Sequence, residues 1–593
     1  MKIIRAILSR PYLTLLWTAV VLLLTLTPAI DMPLTPAWEF LSFDTAAHAA
    51  VFAVLAAVAW PWVRTWAARP GLVVLVGCVG LGALIEVLQY AMHQGRHAEW
   101  SDLLSDSIGV VVVLVLIGLG RLGRRRLTQA AVLLATGTLA ATAQPTPPRP
   151  ADVPDLARAR RTIEELASEK MHGRGYVQQG EHMAAAYLRG RLRQLGLQPL
   201  APDYTQPFTL DVNTFPGMGT LSVAFLGATV PVSKLQIGTD FIAAPESAGT
   251  LGKQLAAPAV RLDSSVFSQP LQQADLTQKV IDALGVVRQS KGRLAKPFLV
   301  LAAHDEARLI KLPQPLQRYL DSLPSRVLLV PKLTASLASA VSPAIHVESL
   351  EKLPVWQFGG QHQRLAILEL QLDAQLLHNY QTQNLAAVVR GSAQPDSFLV
   401  VTAHYDHLGM MGKNTYFPGA NDNASGVALL LELAAHYARP KNRPRYSVAF
   451  LLFGAEEAGL VGSSYFVQHP LLPLSRIKFL VNLDLLGTGE EGATVVNGKV
   501  YEAAFQRLAA LNDAQHFLPK LGARGRAANS DHYPFSEAGV PAFFIYTRGG
   551  STAYHDVNDR PAALSLAGFT GAYGLVRTFL DGLGAGTAKS PSR

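Results

Sequence analysis

At 593 residues the chain is too long for one hydrophobic core, and 49% hydrophobic against 16% charged residues is the skew expected when part of a chain sits in lipid. A net charge of +9 admits nucleic acid as a partner, but the densest basic cluster, Arg121, Arg124, Arg125 and Arg126, abuts apolar segments. That position favours a membrane anchor and sets nucleic acid aside. The single cysteine, Cys78, excludes an intrachain disulfide and any multi-thiolate site, so a metal would have to be held by His, Asp and Glu.

The apolar excess lies in the first 143 residues, where spans are expected at about 12–30, 45–63, 71–92 and 103–120. Lys2, Arg5 and Arg10, then Arg64 and Arg69, then the Arg121 cluster mark alternate connections as cytoplasmic. The expectation is therefore an α-helical, multi-pass bundle in a bacterial inner membrane, with lipid as its partner and everything after residue 144 on the periplasmic or extracellular side. Segment 127–143 has two readings, a fifth span or a secretory signal ending at Ala141-Thr142-Ala143. Asp44, His48, Glu86, Gln89, Arg96, Asp102 and Asp106 lie in or beside these helices, either as functional groups or as helix-packing donors and acceptors. Asp44, His48 and Phe52, then Glu86 and Gln89, then Arg96, Asp102, Asp106 and Gly109 resemble the VanZ-like membrane family over roughly 30–120, with Asp106 where that family more often has Asn. The resemblance implies a small membrane domain at 1–126.

Residues 144–155, QPTPPRPADVPD, read as a semi-rigid proline-rich linker. A helical pattern runs from Ala157 to Leu195, broken at MHGRGY and ending at Gly196. Residues 215–365 mix short strand-like and helical runs and are expected to form a smaller domain inserted into a catalytic domain made of 156–214 and 366–583, with 584–593 a disordered tail. His172, His182, His304, His346 and His362 are scattered through this region. Only His304, in FLVLAAHDE, follows a strand-like run, and no further strand end there supplies partners.

From 366 onward, strand-like and helical runs alternate, which predicts an α/β domain with a mostly parallel sheet and helices on both faces. Ligands of such sheets bind outside the carboxyl ends of the strands. His404 and Asp406 follow SFLVVTA, Glu456 and Glu457 follow SVAFLLFGA, Asp484 ends KFLVNLD, and His555 lies in the loop after PAFFIYT. Asp422, in GANDNASG, stands before a helix and can join them. Each has a plainer reading alone: Asp422 as a turn or N-cap acid, the glutamates as a solvated helix start, the histidines as structural. Asp484 is harder to dismiss, because its flanks are apolar and a buried carboxylate needs a cation or donors. The plain readings would all have to hold at once to explain acids and imidazoles on one edge.

Two histidines and an excess of acids, with no cysteine, suit Zn²⁺ or another borderline divalent ion, and the surplus of carboxylates suggests two ions sharing a bridging carboxylate. Adjacent acids can divide labour, one on the metal and one free as general base.

The motifs HYD at 404–406, GANDNASG at 419–426, GAEEAGLVGS at 454–463, NLD at 482–484, SDHYPF at 530–535 and YHDVND at 554–559 together resemble the M28 family of co-catalytic zinc peptidases, over 366–583 and the GR-containing segment at about 157–200. The resemblance implies that Asp422 bridges two zinc ions, His404 and Asp484 completing one shell and Glu457 and His555 the other. It implies Glu456 as general base, Asp406 as the acid that orients His404, and a cis peptide at Asp422-Asn423. Asp531, His532, Tyr546 and Tyr554 are candidates for shaping the substrate pocket, and His407 is unassigned. The expected activity is that of an exported, membrane-associated exopeptidase on peptides, an aminopeptidase. A glutaminyl cyclase, a carboxypeptidase and a non-catalytic membrane sensor stay open as alternatives.

Overall fold

The computed structural model describes residues 43–92, scattered positions in 11–21 and 107–117, and 153–584 apart from 226–231, 263, 265–296, 312–313, 324 and 358–365. The chain divides into two compact units, Met1–Pro147 and Pro148–Arg593.

In the first unit, helix α1 (Phe43–Val63) and helix α2 (Pro70–Met92) supply most of a small core. Phe52, Leu55, Ala56, Ala59 and Val63 recur at helical spacing on one face of α1 and are buried with Val74, Cys78 and Ile85 of α2. This corrects the expected fold class and location. Among the described residues no helix is long and apolar enough to cross a membrane, against both a helical membrane bundle and a multi-pass inner-membrane protein. Helix α1 carries Pro61 inside it, and many of the apolar side chains of α1 and α2 cover one another. Most of the expected spans at 12–30 and 103–120, the side chains of Asp44, His48, Glu86 and Gln89, and all of Arg96, Asp102 and Asp106 lie outside the described residues. So do segment 127–143, the linker up to 152, His362 and the tail from 585.

The second unit carries two sheets. Its strands in chain order begin with β1 (Gln198–Pro199), β2 (Thr205–Thr214), β3 (Gly219–Phe225), β4 (Ser233–Gln236), β5 (Phe241–Ala243) and β6 (Leu255–Leu262). There follow β7 (Phe298–Ala302), β8 (Ser325–Val330), β9 (Ile345–Leu350), β10 (Ala366–Leu372), β11 (Gln375–Val389) and β12 (Gln394–His404). The last are β13 (Tyr446–Phe453), β14 (Ile477–Leu483), β15 (Ala493–Val496), β16 (Leu521–Ala523) and β17 (Ala542–Thr547). One sheet runs β1-β11-β13-β12-β14-β17-β15-β16, with β2 also on β11; the other runs β4-β3-β10-β6-β7-β8-β9-β5.

In the first sheet β13, β12, β14 and β17 are mutually parallel, while β11 joins β13 and β15 joins β17 antiparallel. The sheet is thus mixed, a parallel centre with antiparallel flanks, where a mostly parallel one was expected. Its central strands are apolar without alternation because both faces are covered. Along β12, Leu399, Val401 and Ala403 enter one core and Phe398 and Val400 the opposite one. Helices α3 (Leu156–Leu166), α4 (Gly180–Gln194) and α5 (Gly426–Tyr437) pack on the first face with α9 (Phe569–Gly584). Helix α6 (Val461–Gln468) and helix α8 (His532–Glu537) cover the other, and α7 (Glu502–Gln515) precedes β16.

The second sheet has its own core, and β10 shows the one-sided alternation of a strand lying on it, with Ala366, Leu368, Leu370 and Leu372 buried. Three side chains of the loop that leaves β12, Leu408, Met411 and Phe417, are buried in that same core. The loop after the first sheet is therefore seated on the second.

Candidate metal centre

Parallel pairing at the centre of the first sheet puts four strand ends on one edge. His404 closes β12 opposite Phe453 of β13, Asp484 follows β14, and β17 leads into the loop bearing His555. Asp422 arrives from a tight turn, Ala420–Ser425, that opens α5, and the Asp422-Asn423 peptide is cis. Glycine is required at position 419, where φ is 57° and a Cβ would come within 2.2 Å of the Asp422 carbonyl oxygen.

Asp422 sits between two groups of donors. Its Oδ1 lies 3.3 Å from His404 Nε2, which is 3.4 Å from Asp484 Oδ1. Its Oδ2 lies 3.3 Å from His555 Nε2, which is 3.0 Å from Glu457 Oε2. Candidate ligand atoms of His404, Asp422 and Glu457 lie within 4.8 Å of one another, as do those of His404, Glu456 and Asp484.

Each group is held from behind. Asp406 accepts from the backbone N–H of Glu456 at 3.1 Å and of Glu457 at 3.4 Å, so its carboxylate secures the turn carrying both glutamates. His404 Nδ1 is 3.3 Å from the Asp406 carbonyl oxygen and 3.8 Å from its carboxylate. Asp406 thus orients His404 more through its backbone than through its side chain. Asp484 accepts from Ser530 Oγ at 2.8 Å, Ser530 from Asn482 at 2.8 Å, and Asn482 from Thr402 at 2.6 Å, a chain across two strands. His407, unassigned from sequence, places Nδ1 2.6 Å from Glu457 Oε1.

Two residues not picked as site residues fix the Asp422 turn. The fully buried Arg174 donates to the carbonyls of Leu166, Tyr405, Pro418, Gly419 and Asp422. Asp559 accepts from the backbone N–H groups of Asn421 and Asp422. Their only sequence signals are the GRG break in a helical pattern and the second acid of YHDVND.

Asp406, Asp422, Asp484 and Asp531 are buried, and Glu456 and Glu457 partly so. Burial raises Glu456 well above the carboxylate range and raises Asp484, against the pull of His404 on both. Burial also lifts Asp531 to about 7. Burial works against the charged form of His404, yet Glu456 and Asp484 lift it well above the usual imidazole range. His555 is likewise opposed by burial but raised to about 11 by Glu457 and Asp422, and Glu457 falls to about 2 because His555 and His407 outweigh burial and Asp422. So many carboxylates with so few fixed cations form a site that divalent ions satisfy. Nitrogen and oxygen donors without sulfur fit zinc or a similar borderline ion.

Of the pocket candidates, Asp531 and His532 are buried, Asp531 beside Ser463 and His532 beside the Ser530 backbone. Tyr554 stacks on His555 with ring centroids 3.9 Å apart and is 49% exposed. Tyr546 turns elsewhere, its hydroxyl accepting from Arg524 at 3.1 Å.

Residues 384–579 match the family model for peptidase family M28. This segment is similar to the M28 peptidases. Over 187 residues, 30% of this chain and 38% of the relative, it is 33% identical to an aminopeptidase, YwaD, of Bacillus subtilis. Over 113 residues, 18% of this chain and 26% of the relative, it is 37% identical to a probable zinc metalloprotease of Leptosphaeria maculans. The chain thus spans well under half the length of these curated relatives. Among solved structures, a zinc aminopeptidase from Bacillus subtilis superposes with a TM-score of 0.50 at 21% identity, covering 72% of this chain and 93% of that one. A peptidase M28 precursor from Shewanella amazonensis also gives 0.50, at 16% identity over 73% and 98% of the two chains. These two establish the fold of the M28 segment and its surroundings.

Proposed function

We propose that the protein is a zinc-dependent exopeptidase, an aminopeptidase, that hydrolyses peptide bonds at this centre. The observation carrying the proposal is the placement of Asp422, one carboxylate oxygen facing the His404–Asp484 pair and the other facing Glu457 and His555. That arrangement fits two zinc ions with Asp422 between them, His404 and Asp484 on one and Glu457 and His555 on the other. Bound zinc supplies Lewis-acid polarisation of a carbonyl and acidifies water. Relatives named as an aminopeptidase and a probable zinc metalloprotease support the assignment.

Within this site Glu456 takes the proton of the attacking water and returns it to the departing amine. Burial raises its pKa, the direction that suits a carboxylate which takes up a proton and then returns it. Asp406 keeps Glu456 and Glu457 on their separate tasks by gripping both backbone N–H groups. The buried Asp531 and His532 and the half-exposed Tyr554, stacked on His555, are the residues assigned to substrate contact in this reading. A membrane tether forms no part of this reading.

The test is elemental analysis together with cleavage of free-amine and N-blocked peptides by wild type and Glu456→Gln. Two zinc equivalents in both proteins and free-amine cleavage by wild type are expected, with kcat roughly 10²–10⁴-fold lower in the variant. Full activity of Glu456→Gln overturns the assignment of the base. Removal of C-terminal residues from the blocked peptide overturns the aminopeptidase choice, and lactam formation with one zinc makes it a cyclase.

A further inference from the structure

His555 stands eight residues past the end of β17 at Thr547. It lies in the loop after β17, its backbone is in the left-handed region with φ 54°, and a residue with a Cβ adopts that conformation uncommonly without support. The support comes from the second sheet. The segment 331–337, which leaves β8, places the Ala335 carbonyl oxygen 2.7 Å from His555 Nδ1. The Ala335 N–H donates back to the His555 carbonyl at 3.1 Å. A carbonyl only accepts, so Nδ1 carries the proton and Nε2 is the nitrogen turned to Asp422 and Glu457. Two residues earlier in the same segment Leu333 is buried in the core of the second sheet, and Ala335 joins it there. Between them and β8, Lys332 Nζ donates to the carbonyls of Thr552 at 2.6 Å and Tyr554 at 3.3 Å, clamping the loop just before His555.

We propose that segment 331–337 of the second sheet is a positioning element of the metal centre: the Ala335 backbone fixes the tautomer and rotation of His555, and Lys332 anchors the loop that carries it. Histidines on metals commonly hand their second N–H to a carbonyl or carboxylate, and removing such a partner costs roughly 10–100-fold in metal affinity or activity. Here that partner belongs to the other sheet. The second sheet is then part of the metal centre, and movement of 331–337 changes the hold on the ion facing Glu457 and His555 without touching the other. The proposal rests on the zinc reading above, and its test separates the two.

The variant Lys332→Met keeps the length and apolar stem of the side chain and removes its donors; Lys332→Arg restores them. Zinc retained by the full chain is measured after dialysis against graded chelator, alongside the unfolding midpoint of the metal-free protein. Lys332→Met is expected to release one of two zinc equivalents at a chelator concentration about tenfold lower than wild type. Lys332→Arg should match wild type, and all three metal-free midpoints should coincide, because Lys332 is exposed and off the core. Ala335→Pro, which removes the N–H given to His555, should shift release in the same direction. Wild-type zinc retention in Lys332→Met overturns the positioning role while leaving the zinc reading intact. A wild-type protein that binds no zinc overturns both.

Discussion

The ends of β12 and β7 are close to the same sentence in two places, an apolar strand running into a histidine and an acid. After β12, His404 and Asp406 meet groups from the end of β13, the end of β14 and the Asp422 turn. After β7, His304 leaves 63% of its side chain exposed, and Asp305 spends its oxygens on Ser264 at 2.5 Å and Arg308 at 2.8 Å. Both strands lie in parallel neighbourhoods, so sheet direction is not the difference. What differs is whether adjacent strands end in groups of the same kind. Among the described residues, every cluster with metal-type geometry contains His404.

The largest effect should come from breaking the side that converges. Asp422→Ala removes the carboxylate shared by both donor groups and is expected to lose bound zinc and all measurable turnover, whereas His304→Ala should change neither, as elemental analysis and a peptide assay would show. Retained zinc in Asp422→Ala would put the two strand ends on the same footing. Next in size is Arg174→Met, which removes the donor shared by five interior carbonyls and should cost about 3–5 kcal/mol in denaturant unfolding. A loss under about 1 kcal/mol, the range of a surface substitution, would mean that water replaces the guanidinium.

The smallest effect concerns α4, which reaches β11 through the buried Glu181. That carboxylate accepts from Tyr380, Thr382 and Gln383 and pairs with His182. The hydrogen bond to Glu181 raises the pKa of His182 against an opposing burial penalty. A raised imidazole pKa gives stability that is complete below the unfolded value, about 6.5, and disappears as pH climbs through the folded value. His182→Gln should therefore be less stable than wild type at pH 5 and level with it above the folded pKa, by no more than a few tenths of a kcal/mol for so exposed a group. Parallel stability curves for the two proteins across that range would refute it.

How much of this was legible in the chain follows from what a side-chain pattern can carry. Runs such as SVAFLLF announce strands covered on both faces, and the polar residue that ends each run marks the edge, so His404, Glu456, Glu457 and Asp484 could be read as neighbours. Direction is not written in such runs, which is why the antiparallel joins of β11 and β15 were missed. Apolar content does not say whether its partner is lipid or another helix, and in α1 and α2 the described partner is another helix. The Ala335 carbonyl left no trace, because a backbone acceptor looks the same at every position. Arg174 was visible only as a charge in a helical break, and its five acceptors are all main-chain.

The turn at Asp422 has one consequence for how the protein comes into being. It is gripped on one side by Arg174, near the start of the second unit, and on the other by Asp559, near its end. A chain emerging from the ribosome holds the first grip long before it owns the second, and His555 appears later than any other proposed ligand. In the proposed two-ion site the His404–Asp484 side is therefore complete in the emerging chain before the Glu457–His555 side.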